Sequence, residues 1–214
     1  MMSQVRQTGQ NPAGILLEIS LTPWIIMRPK ASMRVVGGKV RGRPLRGTIS
    51  PGARPTTERV RAAIFNILDP DSYCDRKVLD LYAGSGSLGI EALSQGAAWA
   101  DFVEHSHRQC EVIKANLENT GFSQQARVYC ADAVKSLESL DGPYQLVLLD
   151  PPYRLQNLGE VLEKIASVPG LVDNQGIVVV GHSKHLDLLP SYGDLTLESH
   201  RRYGDNVVDF YTKR

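Results

Sequence analysis

Asp80-Leu81-Tyr82-Ala83-Gly84-Ser85-Gly86-Ser87-Leu88-Gly89 follows the short apolar run Lys77-Val78-Leu79 and opens the periodic segment Leu88–Ser94. A strand, a glycine turn and a helix in that order make the first half of a βαβ unit. The glycines let the backbone turn tightly and approach a ligand where a Cβ would clash. Glu104 stands 20 residues past Gly84, at the end of the strand-like run Trp99–Glu104. A carboxylate in that place accepts two hydrogen bonds from ribose hydroxyls.

The same alternation continues downstream. Arg108–Asn119 is helical, with Cys110, Val112, Ile113 and Leu117 inward, Ala126–Cys130 reads as a strand and Ala133–Leu140 as a helix. Tyr144–Asp150 holds the unbroken run Leu-Val-Leu-Leu, typical of a strand covered on both faces. A helix at Leu158–Ser167 and a strand at Gly176–Gly181 follow. Thr196–Tyr203 and Asn206–Thr212, around Gly204-Asp205, read as an antiparallel hairpin. Upstream, Met33–Thr48 reads as a small basic β-hairpin, and Thr56 or Thr57 caps a helix that turns Val60, Ile64, Ile67 and Leu68 inward. The prediction is an α/β fold: a mostly parallel seven-stranded sheet with helices on both faces, right-handed crossovers and an antiparallel C-terminal hairpin. Residues 1–32 are expected to form a loosely ordered extension, 33–53 a basic hairpin arm and 54–214 the main domain. Met33 opens the first well-patterned segment and is a plausible native start.

Composition narrows the classes. Of 214 residues 42% are hydrophobic and 22% charged, enough for a sizeable core. The three cysteines, Cys74, Cys110 and Cys130, form no C-x-x-C pair, which excludes a disulfide scaffold, makes a zinc module improbable and fits a reducing cytosolic setting. Ile15–Met27 is apolar but is interrupted by Glu18 and Pro23, too short to span a membrane and unlike a signal peptide. The net charge of +1 hides an asymmetry: residues 28–61 carry ten basic side chains against Glu58, whereas residues 62–214 carry 13 basic and 21 acidic ones. A basic arm on an acidic body is an electrostatic footprint for a polyanion, nucleic acid above all.

Two carboxylates bear on the ligand. Asp80, four residues before Gly84, would repel a dinucleotide's pyrophosphate and suits a cationic ligand instead, such as the ammonium or sulfonium of S-adenosyl-L-methionine. Asp132 either takes the exocyclic amine of adenine or caps the helix that begins at Ala133, and the two roles are compatible. Asp150-Pro151-Pro152-Tyr153 ends the apolar strand at the edge where ligands of open α/β sheets collect. Two prolines make a rigid wall of acceptors, so the Asp150 carboxylate and the Pro151 carbonyl can each accept one N–H of a planar amino group. Tyr153 offers a ring for base stacking, worth about 1–3 kcal/mol.

Arg34-Val-Val-Gly-Gly, Arg54-Pro-Thr-Thr-Glu-Arg-Val-Arg, Asp80–Gly89, Asp150-Pro-Pro-Tyr153 and Tyr203-Gly-Asp205 together resemble the bacterial small-subunit rRNA (guanine-N2) methyltransferase family. The resemblance implies a Rossmann-like class I methyltransferase with S-adenosyl-L-methionine as methyl donor and small-subunit rRNA as partner, naked or within an assembling particle, in the cytoplasm, with no metal. Carried over by motif, Asp80, Ala83, Gly84, Ser85 and Gly86 would line the methionine end, Glu104 the ribose, and Asp132 with Ala133 the adenine. Asp150, Pro151, Pro152 and Tyr153 would hold the target base, and Arg34, Lys39, Arg41, Arg43, Arg46 and Arg54 the RNA. The Asp-Pro-Pro-Tyr group is shared with adenine-N6 and protein-glutamine methyltransferases, so it does not choose the acceptor. A nicotinamide or flavin oxidoreductase is disfavoured by Asp80, and a non-enzymatic assembly factor would leave the acceptor group unused. His105-x-His107 lacks an evident third ligand, and no G-x-S-x-G or G-x-x-x-x-G-K-[ST] is present. His182, His185 and His200 have no partner assignable from spacing.

Overall fold

Among the described residues, eight strands form one sheet in the order β3-β2-β1-β4-β5-β8-β7-β6. The computed structural model describes residues 33–47, 57–152, 155 and 157–214. The expectations for residues 1–32, Arg54 and Tyr153 lie outside them. The strands are β1 (Lys77–Leu81), β2 (Trp99–Glu104), β3 (Ala126–Cys130), β4 (Tyr144–Leu149), β5 (Val172–Ser183), β6 (Ser191–Tyr192), β7 (Leu195–Tyr203) and β8 (Asn206–Lys213). The first five run parallel, and β8, β7 and β6 are added antiparallel. The count of seven is corrected to eight, because Ser191–Tyr192 adds a two-residue edge to β7. So short a strand has no readable alternation.

The helices are α1 (Glu58–Ile67), α2 (Ser87–Ser94), α3 (His107–Thr120), α4 (Ala133–Ser136) and α5 (Leu158–Ser167). Thr57 Oγ1 caps α1 by accepting from the Val60 amide at 3.3 Å. The helix expected over Ala133–Leu140 is a single α-turn continued by a 3-10 turn at Leu137–Ser139. One core gathers Val60, Ile64, Phe65, Leu88, Phe102, Ile113 and Leu148, and the opposite face gathers Leu79, Leu81, Val147, Val161, Leu162, Val180 and Tyr211. Both faces of the central strands are thus covered, as their unbroken apolar runs require.

The basic segment is not a free hairpin. Its two expected strands reduce to a single bridge, Arg34 to Pro44, and its glycines form turns between them. Val35 and Leu45 are buried in the core, while Arg34, Lys39, Arg41, Arg43 and Arg46 are exposed. Alternation therefore anchors the segment by its apolar side chains and leaves the basic ones in solvent. Three backbone bonds still cross between its arms, from the Val35 amide to the Arg43 carbonyl, the Gly42 amide to the Val35 carbonyl and the Leu45 amide to the Met33 carbonyl, and further backbone groups go to side chains of α2 and α3. Glu91 accepts the Val36 and Gly37 amides at 2.9 and 2.6 Å. Ser94 Oγ donates to the Gly37 carbonyl at 2.6 Å, and Asn116 Oδ1 accepts the Arg46 amide at 2.8 Å.

Two of the three cysteines meet in the fold. Cys110 on α3 and Cys130 at the end of β3 are joined as a disulfide, with Cα atoms 6.1 Å apart. Their separation of 20 residues hid this, because β2–β3 pairing sets Cys130 beside Glu104, the residue whose carbonyl the Cys110 sulfur also approaches. Cys74 remains a free thiol.

Glu91 has a second role. Arg61 and Glu91 are both fully buried, with Arg61 Nε 3.2 Å from Glu91 Oε2. Burial pulls the Arg61 pKa down, against the attraction of Glu91. Arg61 Nη2 also donates to the Arg34 carbonyl, so one ion pair ties α1, α2 and the basic segment together. Glu91→Ala should lower unfolding free energy by about 3–5 kcal/mol, because Arg61 is left buried without its counter-charge. Urea denaturation measures this, and a loss below about 1 kcal/mol would contradict the reading.

Candidate functional site

Strand register assembles the site. Leu81, the last residue of β1, lies between Val103 of β2 and Leu149 of β4. The turn after β1, Glu104 and Asp150 therefore emerge side by side at one edge. Here the sheet reverses its order about β1, the place where open α/β sheets bind ligands.

The turn is held from two sides. Asp80 Oδ2 accepts the Gly89 amide at 2.8 Å, and Glu104 Oε2 accepts the Gly84 amide at 3.0 Å. Gly84 and Gly86 have φ of 55° and 77°, the left-handed region where a side chain is strained. Gly89 is required for another reason: a Cβ there would lie 2.4 Å from the Phe102 ring. Ala83 and Ser85 are buried, and the Ser85 carbonyl accepts from Asn116 Nδ2 at 2.9 Å. Asn116 Nδ2 also donates to the Arg46 carbonyl at 3.0 Å, so one amide links the glycine turn to the basic segment. Tyr82, a non-glycine residue, has φ of 58°, a costly conformation that functional turns often hold.

The electrostatics are set by carboxylates. Asp80 is fully buried, and its pKa stands well above the usual carboxylate range. Burial is the main cause, opposed by the Gly89 amide and reinforced by the charges of Asp150 and Glu104. An edge with this surplus of negative charge suits a cationic ligand group and opposes an anionic one. Burial, and then the charge of Asp132, raise the Tyr82 pKa.

The remaining expected residues fall as follows. Glu104 is buried, and its Oε1 accepts the Ser106 amide at 2.9 Å and lies 3.1 Å from His105 Nδ1. Asp132 is exposed and caps α4 by accepting the Lys135 amide at 3.0 Å, so the capping role is the one present here. Ala133 is buried beneath it. Pro151 is buried and Pro152 exposed, with the Pro152 carbonyl accepting the Leu155 amide at 2.9 Å. A cavity of about 190 Å³ opens beside the two prolines and reaches Gly181, Ser183 and His185.

Spacing failed to reveal several residues that matter here. His182 does have a partner: its Nε2 lies 3.0 Å from Asp209 Oδ2, and Asp209 Oδ1 meets His200 Nδ1 at 2.7 Å. This ladder crosses three strands, β5, β8 and β7, that only antiparallel pairing brings together. Glu91 and Asn116 were legible only as polar residues on otherwise apolar helix faces.

A family model described as conserved hypothetical protein 95 matches residues 33–212. The chain belongs to this family. Among its relatives, ribosomal RNA small subunit methyltransferase D of Escherichia coli K12 is 40% identical over 147 residues, covering 69% of this chain and 73% of that protein. YlbH of Bacillus subtilis 168, provisionally named an rRNA methyltransferase, is 36% identical over 186 residues, covering 85% of this chain and all of that one. The solved structure of yhhF from Escherichia coli, provisionally named a methyltransferase, superposes with a TM-score of 0.74 at 31% identity, covering 86% of this chain and 98% of that one. The family match begins at Met33, where the regular patterning of the sequence begins.

The Asp80 shift has a stability consequence. Its folded pKa is raised, so the native state holds a proton that the unfolded chain releases, and stability falls as pH rises from about 4 through the folded value. Asp80→Asn keeps an oxygen for the Gly89 amide and removes that dependence. At pH 7 the variant should melt higher by about 2–4 °C, the shift that about 1 kcal/mol gives a chain of this size. Thermal melts from pH 4 to 8 check this, and a lower Tm at pH 7 would contradict it.

Proposed function

We propose that this chain is an S-adenosyl-L-methionine-dependent methyltransferase acting in the cytoplasm on the exocyclic N2 of a guanine in small-subunit rRNA. The observation that carries the reading is that Asp150-Pro151-Pro152 leaves the end of β4 beside the end of β1, where the glycine turn begins. The relatives' names, which refer to ribosomal RNA, support the choice of polymer and of subunit. No helix among the described residues is long and apolar enough to cross a membrane.

The residues fit the cofactor. Gly84 and Gly86 give the turn its left-handed backbone, and the charges of Asp150 and Glu104 supply negative potential around the buried Asp80. When bound, S-adenosyl-L-methionine supplies an electrophilic methyl on a sulfonium. In this reading Asp80 and the turn Ala83–Gly86 face its methionine end, Glu104 offers its carboxylate to the ribose, and Asp132 and Ala133 border the adenine.

The acceptor chemistry sets the demand on Asp150. An aromatic amine delocalises its lone pair into the ring and is a poor nucleophile. The Asp150 carboxylate and the Pro151 carbonyl accept its two N–H groups and orient the nitrogen towards the methyl, and Asp150 takes the proton that the nitrogen sheds as positive charge develops on it. Tyr153 stacks on the base. Most of the acceleration comes from placing nitrogen and methyl in line, not from acid–base chemistry. Lys39, Arg41, Arg43 and Arg46 are exposed on the segment bound to the glycine turn through Asn116, so phosphates held there lie on the cofactor side of the site.

Asp150→Ala should reduce methyl transfer to rRNA by about 100-fold or more, while affinity for S-adenosylhomocysteine stays within about twofold. Unchanged turnover, or N6-methyladenine as the product, would overturn the assignment. Reversing charge at Arg41 and Arg43 should reduce the slope of log affinity against log salt by about 1–2, the share of two phosphate contacts. An unaltered slope would remove this segment from the RNA interface.

A further inference from the structure

Gly181 lies on β5 one residue beyond Val180, the partner of Leu149, and so stands beside Asp150 at the acceptor end of β4. A Cβ built on it would be 2.9 Å from Asp150 Oδ1, 3.5 Å from the Leu149 carbonyl oxygen and 3.7 Å from Asp150 Cγ. Real side chains do not tolerate the first of these distances. The obstructing atom is the tip of a side chain, so the carboxylate would yield and the backbone would stay. Gly181 is paired within β5 and its φ is outside the left-handed region, so its backbone does not call for glycine. Glycine weakens a strand interior, and one kept there marks a close approach by another group.

The floor under Asp150 is also firm. Gly181 pairs with Val208 of β8, and the next residue, His182, is buried with Nδ1 3.0 Å from the Ser183 carbonyl and Nε2 3.0 Å from Asp209 Oδ2. Asp209 is held in turn by His200 on β7. This ladder denies β5 the movement that would absorb an added methyl group.

We propose that Gly181 is a positioning residue for methyl transfer: its missing side chain seats the Asp150 carboxylate in the orientation that grips the acceptor amine. The proposal rests on the reading of Asp150 given above. It predicts a separation of stability from catalysis at adjacent positions. Gly181→Ala should lower kcat by about tenfold or more, and Gly181→Val further, with Tm and S-adenosylhomocysteine affinity nearly unchanged. Val180→Ala, which empties a fully buried site on the other face of the strand, should lower Tm and leave kcat within about twofold. A crystal structure of Gly181→Ala should show the Asp150 carboxylate rotated off its present position, whatever the turnover. A Gly181→Ala enzyme with kcat within twofold of the parent, or an unmoved carboxylate, overturns the proposal. Absence of methyl transfer by the parent protein would instead overturn the proposed function, and the carboxylate's position still decides the role of Gly181.

Discussion

Two hydrogen bonds from backbone amides to carboxylates hold the site together: Gly89 to Asp80 and Gly84 to Glu104. The turn after β1 must bend sharply, keep its amides satisfied and leave its outer face open. Satisfying it from side chains beneath and beside it meets all three demands. Burying Asp80 opposes folding, and its raised pKa records that cost. The cost falls at the edge where open α/β sheets receive ligands, the kind of place where strain is usually kept. Tyr82, with its positive φ, belongs to the same strained turn.

The second constraint is the attachment of the basic segment. Residues 33–47 carry exposed cations that repel one another, and their own backbone pairing is a short ladder around one bridge. Their order comes from Val35 and Leu45 in the core and from Glu91, Ser94 and Asn116 on two helices. Glu91 is the hub: it accepts two backbone amides and balances Arg61. A segment held in this way presents its charges as a fixed surface, which costs less ordering entropy on binding a polyanion than a mobile arm would.

Element type was legible where side chains repeat with a clear period. The parallel strands, α1, α3 and α5 stand within a few residues of their expected bounds, because burial on both faces writes apolar runs and helical spacing into the chain. Short elements escaped. Ser191–Tyr192 is too brief to alternate, and α4 ends early in a 3-10 turn. The N-terminal strands looked convincing from glycine-bearing turns, yet only a short ladder forms, and hydrogen bonds to helix side chains supplement it. The Cys110–Cys130 link and the His182–Asp209–His200 ladder were hidden because each depends on which strands are neighbours, and neighbours in a sheet need not be close along the chain.

Residue order alone determined the class of fold and the chemical character of the edge: a glycine turn after an apolar strand, an acid at the next strand's end, and an acidic Pro-Pro corner further on. Those features are local, and local rules of turn geometry and burial read them directly. Only the folded chain decided how the pieces meet. Strand order set the Asp150 corner beside the glycine turn, and the close approach of β4 and β5 left Gly181 no room for a side chain. Distances across a sheet are fixed by packing among residues far apart in sequence, and no pattern along a single strand contains them.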